Sequence, residues 1–494
     1  MNDNAEMNEQ KIEENATVLM DETPIENVEQ NVESQTDNSN KKQKTKFAQK
    51  LDKKFKFTER GSSIKQEFFA GFVNFLVLSY IMVVIPSLFT GIGGEGFWKA
   101  IFLATILTAI IVTTLSAFYS NLPIVLAPGI GLVSYLAQLV TSGKYTFPQV
   151  MSISLIAGIV FVILTVSGLR KKIIKAIPNC VKDALPVGVG LFILSLGLSS
   201  NNSGILDLLS GNATSYTPIV AVVSLIIMCV LYAKKVKGSI FVGIASGTVL
   251  DIIIKFCKGI NPFEVLGQSS WLPPFKELAE NTLFQFDFAG LVQGNFVSAI
   301  LSIVLIIFAV VLIDMFDTVG TLYATATKGN LIDKNGEVIN MDKLMFVDGS
   351  ATLITSLIGI PNATSYVESS TGIASGARTG LSVLFTSLFF ALAMFLSPLV
   401  QLIPVYATSP ALILVGILMF DSVAKIDFSD FSTAIPSVLT ILIMPLASDI
   451  TTGIAVGMIM YVLIMLLTKR AKQVNVLTYI ISALFVAYFI MKYI

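Results

Sequence analysis

"PNATSYVESSTGIASGARTG" occupies residues 361–380, between two long apolar runs. From Pro361 to Ala377 it holds one carboxylate (Glu368), one asparagine (Asn362) and six Ser/Thr hydroxyls, where the surrounding pattern asks for a membrane helix. Proline removes a helical hydrogen bond and glycine weakens a helix. Pro361, Gly372 and Gly376 therefore predict a span that is extended or unwound for part of its length. Non-helical backbone survives at membrane depth only inside protein or around a water-filled cavity. A broken, polar span is thus a candidate binding site; the alternative is a re-entrant structural hairpin.

The rest of the chain sets that stretch in a bilayer. Hydrophobic residues make up 54% of 494 and charged residues only 13%, against roughly a quarter charged in a soluble domain. Apolar runs recur from Phe68 to Ile494, each of the ~20 residues that cross a hydrocarbon core. The fold class expected is an all-α polytopic membrane protein. Formal net charge is zero, which implies no nucleic-acid partner. With no histidine in the chain, proton chemistry falls to carboxylates. Cys180, Cys229 and Cys257 lack the spacing of a disulfide framework or zinc site and read as small core residues. No HExxH, nucleophile–His pair or Walker loop is present, and "GEGFWKAI" lacks the GK[ST] ending. No catalytic residue, metal or cofactor is expected.

Residues 1–40 are acidic and rich in Asn, Gln and Glu, the composition of a disordered tail. Residues 41–65 turn basic, beginning "KKQKTKFAQKLDKKFKF", with Phe47, Leu51 and Phe55 at four-residue spacing. This reads as an amphipathic juxtamembrane segment against an anionic cytoplasmic leaflet, or as a solvated linker. Beyond it, fourteen spans are expected: 66–90, 97–118, 122–140, 147–168, 174–199, 217–233 and 238–255 in one half. The other half holds 294–325, 343–360, 362–377, 380–404, 407–424, 431–447 and 449–468. With the N-terminus cytoplasmic, basic residues gather on every second connection, as the positive-inside rule requires. Those connections carry Arg170, Lys171, Lys172 and Lys175, then Lys234, Lys235 and Lys237, then Lys328, Lys334 and Lys343. Arg378, Lys425, Lys469, Arg470 and Lys472 continue the series, while Lys99, Lys144, Lys258 and Lys276 fall outside. Whether 474–494 also crosses stays open.

The halves echo each other. "GIASG" (Gly243 to Gly247) in span seven matches "GIAVG" (Gly453 to Gly457) in span fourteen. A glycine also follows "IP" by twelve residues in spans five (Pro178, Gly190) and twelve (Pro404, Gly416). Seven spans per unit forces opposite orientations, the inverted repeat of many secondary transporters. Span three, "NLPIVLAPGIGLVSYLAQLV", then corresponds to span ten, and both are broken: Pro123, Pro128, Gly129 and Gly131 interrupt it. Paired interruptions of this kind point to a midplane substrate site. Acidic residues point the same way. Asp314 and Asp317 in "VLIDMFDTVGTL" lie three residues apart on one helical face, and Glu368 sits mid-span; charges this deep face a cavity or a partner. Asp348 and Asp421 read as cap or interface residues, Asp183 and Asp251 as structural or interfacial.

"FDTVGTL", then "SYVESSTGIASGARTGL", then "FLSPLVQLIPVYATSPALILVGILMF" resemble the AzgA-like hypoxanthine/guanine/adenine permeases, a branch of the nucleobase–cation symporter (xanthine/uracil permease) family. "LAPGIGLVSYLA", "AGFVNFLVLSYIMVVIP" and "VGLFILSLGL" extend the resemblance over about residues 64–494. It implies fourteen spans in two inverted repeats, with a short strand and half-helix in spans three and ten. A core domain (66–168 and 293–404) would work against a gate domain (172–255 and 406–470), with 474–494 as a terminal apolar segment. It implies a secondary active transporter of the cell membrane that imports purine bases by proton symport and alternating access. Carriage of xanthine or uracil, sodium coupling and an anion carrier of the same fold are the alternatives; oligomeric state stays open, a homodimer included. The family carboxylates fall on Asp317 and Glu368, and Asp314 stands behind them, so these three carry proton coupling. Substrate binding falls to Asp317, Glu368, Thr321, Tyr366, Val367, Ser365, Asn362, Gly129 and Gly131. The chain departs from the branch at Val133, usually Asn, at Ile85-Pro86, usually Asn-Pro, and at Gly359-Ile360-Pro361-Asn362, usually Gly-Thr-Ser-Thr. Those positions, expected around the pocket, leave the choice of base open.

Overall fold

The computed structural model describes residues 46–168, 177–199, 203–263, 266, 270–292, 296–329, 331 and 338–493. The tail at 1–40, Arg170 to Lys175 and Lys334 lie outside the described residues. The chain divides into a unit ending at Lys54 and a unit beginning at Phe55. The four-residue spacing of Phe47, Leu51 and Phe55 is realised as helix α1 (Lys46–Phe55).

In the second unit helix fills the apolar runs, because a backbone without water must bond its own N–H and C=O groups. The first run, expected as a span over 66–90, is one over Ile64–Leu88, interrupted at Ser79 and Tyr80 into α2 (Ile64–Leu78) and α3 (Ile81–Leu88). The Ser79 hydroxyl takes the Leu76 carbonyl at 2.9 Å, and the next turn tightens to i,i+3 bonds from Met82 N to Ser79 O and Val83 N to Tyr80 O. There follow α4 (Gly94–Tyr119), β1 (Leu126–Ala127), α5 (Ile130–Thr141) and α6 (Phe147–Val166). Thr146 and Gln149 close a capping box at the start of α6, satisfying two otherwise orphaned amides. The half ends with α7 (Asn179–Leu198), α8 (Ile205–Leu209), α9 (Thr217–Ala233), α10 (Ser239–Cys257) and α11 (Phe275–Asn281). In the second half come α12 (Phe296–Gly329), α13 (Met341–Ile358), β2 (Thr364–Ser365), α14 (Ser369–Ala374), α15 (Gly380–Ala393) and α16 (Ser397–Gln401). α17 (Val405–Met419), α18 (Phe431–Leu446), α19 (Ile450–Leu467) and α20 (Val476–Tyr493) complete the chain. Among the described residues nine helical segments are long and apolar enough to cross a membrane, with four shorter apolar helices beside them. The protein is a multi-pass helical membrane protein.

Spans three and ten are each a short strand followed by a helix, and the two strands meet. β1 pairs antiparallel with β2, Leu126 opposite Ser365 and Ala127 opposite Thr364. Tyr366 N donates to Val125 O at 3.0 Å, and the Ser369 hydroxyl accepts from Val125 N at 3.0 Å. Elsewhere in the unit the echoing glycines also serve as contact points. Gly190 of α7 and Gly416 of α17 face each other: a Cβ on either would come within 2.8 Å of the other's carbonyl. In α10, Gly243 and Gly247 abut Met228 and Ser224 of α9; in α19, Gly453 and Gly457 abut Met444 and Thr440 of α18. Backbones can approach this closely only where no side chain intervenes.

Packing sorts the helices. α4 and α6 pack on α13, and α2 and α4 on α15, while α7 packs on α17 and α18, and α9 on α10 and α17. Between these sets, Tyr135 of α5 reaches the start of α19, 2.6 Å from the Thr451 hydroxyl and donating to Asp449 at 3.3 Å. Asp251 is buried in α10, accepting from Tyr216 at 3.0 Å and Tyr406 at 2.6 Å and paired with Lys255 at 2.8 Å. That is the structural role expected of it. Of the cysteines only Cys180 is buried; Cys257 is exposed, so the core reading does not hold for it.

Candidate functional site

Where β1 and β2 cross, a cavity of about 140 Å³ opens beside the start of α5. A void of ~150 Å³ holds one benzene, so this space is scaled to a small aromatic ring. Three kinds of surface line it. The first is the start of α5, Gly129 to Leu132, whose first-turn amides have no partners within their own helix. The second is the strand and turn from Asn362 to Glu368, with Asp317 and Thr321 of α12. The third is an apolar wall from α7 and α17, including Leu185, Val189, Val415 and Met419.

All nine residues expected to bind substrate, from Gly129 to Glu368, line this one cavity. Asp317 is open to it, whereas Asp314 is 1% exposed and lies behind the strand. Asp314 does not line the cavity; it accepts from Asn362 Nδ2 at 3.2 Å. The same amide donates to the Thr352 hydroxyl at 2.9 Å. With both amide hydrogens taken, Asn362 keeps its buried Oδ1 unpartnered. The Ser365 hydroxyl is likewise buried without a partner. Such orphans are rare in folded proteins and call for an explanation. Tyr366 turns its hydroxyl to the Pro128 carbonyl, tying the two broken spans together.

Four residues behave otherwise than expected. Asp348, read as a cap or interface residue, lies inside α13 with no exposed surface. It accepts from the Thr318 hydroxyl at 2.6 Å, and Thr318 is 3.2 Å from the Thr364 hydroxyl. Val133 and Ile85-Pro86, expected around the pocket, do not line it; of the three departures only Asn362 does. Val133 and Ile85 are instead fully buried among other side chains.

Tyr80 was missed by sequence reasoning. It donates to Glu368 Oε1 at 3.2 Å from the break between α2 and α3. One signal was legible, a tyrosine amid the apolar residues of the first span. The apolar wall left no local signal, since Leu and Val there read like any membrane-facing residue.

A model of the Permease family covering xanthine and uracil permeases matches residues 65–456. The chain belongs to this nucleobase permease family. Among its relatives, the guanine/hypoxanthine permease PbuO of Bacillus subtilis is 35% identical over 87% of this chain and 98% of its own length. The adenine permease AdeQ of Escherichia coli is 31% identical over 88% of this chain and 95% of its own length. In fold, the chain is similar to the transmembrane domain of the cyanobacterial bicarbonate transporter BicA. That match has a TM-score of 0.58 at 14% identity, over 80% of this chain and 97% of that one. Murine Slc26a9, an anion transporter, matches with a TM-score of 0.54 at 12% identity, over 88% of this chain and 75% of that one.

Proposed function

We propose that this permease imports purine nucleobases, hypoxanthine, guanine or adenine, across the cell membrane by proton symport. The observation that carries the reading is the pair Asp317 and Glu368 on one small cavity where two broken spans cross. Carboxylates accept from ring and exocyclic N–H groups, while the first-turn amides of α5 donate to a base's acceptors. Thr321 and Tyr80 also stand on the cavity beside the two acids, and the α7–α17 wall covers the faces of a planar solute. Relatives named for guanine, hypoxanthine and adenine agree with this choice of base. An anion reading, suggested by the fold neighbours, sets two carboxylates against a like charge.

The transport cycle we propose is alternating access between a core set (66–168 and 293–404) and a gate set (172–255 and 406–470). Fourteen spans in two inverted repeats, with the N-terminus in the cytoplasm, account for the strand pairing, the facing glycines and the basic connections. Asp317, Glu368 and Asp314 carry the coupling. Uptake of labelled hypoxanthine into vesicles, competed by a panel of purines, pyrimidines and inorganic anions, tests the reading. Purines alone should compete, and a proton gradient alone should drive accumulation. Competition by bicarbonate or uracil in place of purines refutes the choice of substrate.

A further inference from the structure

Just past the cavity, α5 is fastened to helices of the gate set by a tyrosine. Gly129 to Leu132 line the cavity; Tyr135, about one turn further along α5, does not. Tyr135 is fully buried, and its ring meets that of Phe192 in α7 edge-on, 6.5 Å between centroids. We propose that Tyr135 is the outer gate of the transport path. Held by Asp449 and Thr451, it keeps α5 on α19 and must let go before a base can enter from outside. The proposal rests on the alternating-access reading above and assigns it a residue that reading does not use.

Each hydroxyl at this contact spends its single hydrogen once. Tyr135 donates to Asp449 Oδ1 at 3.3 Å, and the Thr451 hydroxyl, 2.6 Å away, donates to Tyr135 Oη. Asp449 is the N-cap of α19, accepting from Thr451 N at 2.9 Å on Oδ1 and from the Thr452 hydroxyl at 2.9 Å on Oδ2. Lys144, three residues beyond the end of α5, stands 3.7 Å from Oδ2. The capping carboxylate of a gate helix is thus shared with two residues of the core set. A second crossing lies between Ser87 of α3 and Thr408 of α17, whose hydroxyls are 3.4 Å apart.

Both crossings fall on one side in the order of spans. With the N-terminus cytoplasmic, α3 and α5 run outward while α17 and α19 run inward, so Ser87, Lys144, Thr408 and Asp449 all lie toward the outside. Toward the cytoplasm, Lys237 Nζ, just before α10, donates to the hydroxyl of Ser375, just after α14, at 2.6 Å. The apolar wall of the cavity lies nearer that end: Leu185 is in the second turn of α7, and Met419 is the last residue of α17. The Tyr135 bonds are buried and the Lys237 bond is exposed. Water competes for an exposed bond and is shut out from a buried one. The molecule is therefore fastened more firmly on its outer side, and releasing Tyr135 is what opening outward requires.

Tyr135→Phe keeps the ring against Phe192 and removes only the hydroxyl. Val189→Cys on the cavity wall, in a background lacking Cys180, Cys229 and Cys257, reports access to the cavity. An impermeant thiol reagent is applied to intact cells and to inside-out vesicles. Adding Tyr135→Phe should raise labelling from outside about fivefold, the scale of one net hydrogen bond, without raising it from inside. Thr451→Val, which removes the other hydroxyl, carries the same arm if the phenylalanine chain does not fold. An unchanged outside rate overturns the gate, as does an equal rise from both sides, which marks loosened packing. Ser87→Cys combined with Thr408→Cys tests the reading beneath. Oxidised to a disulfide, this pair should stop hypoxanthine uptake, and a reductant should restore it. Uptake at the parent rate with the disulfide formed shows that α3 and α17 never part, and alternating access falls together with the gate. Arrest by the disulfide with no effect of Tyr135→Phe removes the gate alone.

Discussion

Adding one methyl group at Gly129 should damage the site more than its size suggests. Its backbone, at φ −75° and ψ 109°, suits alanine, so any effect is steric. A Cβ there would stand 2.7 Å from Asn362 Oδ1 and 2.7 Å from Thr364 Cγ2. Ordinary contact begins near 3.4 Å, so β2 must retreat by about 0.7 Å in a close-packed interior. That strand is pinned from behind by Asp314, Thr352 and Thr318, leaving little room to yield. Overpacking of this kind costs ~1–3 kcal/mol. Because the strain falls on the cavity wall, purine affinity should drop about tenfold or more, at ~1.4 kcal/mol per decade. Gly131→Ala is the control. Its Cβ would meet Val189 Cγ1 at 3.1 Å, a side-chain methyl on a neighbouring helix, and affinity should change less than about fivefold. Competition binding in detergent measures both, and thermal melting in the same detergent checks folding. Combining Gly129→Ala with Thr364→Ser removes one of the two clashing atoms and should recover part of the loss. A Gly129→Ala chain that folds and binds with parental affinity refutes the close crossing of the two spans.

Asp317→Asn keeps the size of the side chain but replaces acceptor capacity with a donor. Affinity should fall at least about tenfold, for a charged hydrogen bond of ~1.5–3 kcal/mol; unchanged binding in a folded chain moves the site elsewhere. Glu368→Gln can still accept from Tyr80 but carries no proton, so exchange should persist while uptake driven by a pH gradient fails; accumulation under a proton gradient alone acquits this residue. For topology, Lys235→Cys in a background lacking Cys180, Cys229 and Cys257 should resist an impermeant thiol reagent applied from outside, and rapid labelling reverses the assigned orientation.

Much of the architecture is local and so could be read along the chain. Runs of about twenty apolar residues dictate membrane helices because hydrocarbon accepts no exposed backbone. Pro361, Gly129 and their neighbours interrupt two of those runs, proline through the bond it cannot make and glycine through the backbone freedom a helix would take from it. The acids Asp317 and Glu368 were legible for the same reason: a charge at that depth announces a use. What no local pattern held was which groups meet. Asp348 looked like a helix cap, because nothing in "FVDGSATL" says that Thr318, thirty residues earlier, would bring its hydroxyl to 2.6 Å. Tyr80 became a partner of Glu368 only when the first run broke at Ser79 and α14 came to lie beside it. The apolar wall depended on α7 and α17 meeting at Gly190 and Gly416. Each of these joins residues far apart in the chain, and such pairings are chosen by packing between helices, whose complementarity belongs to two surfaces at once and is written in neither alone.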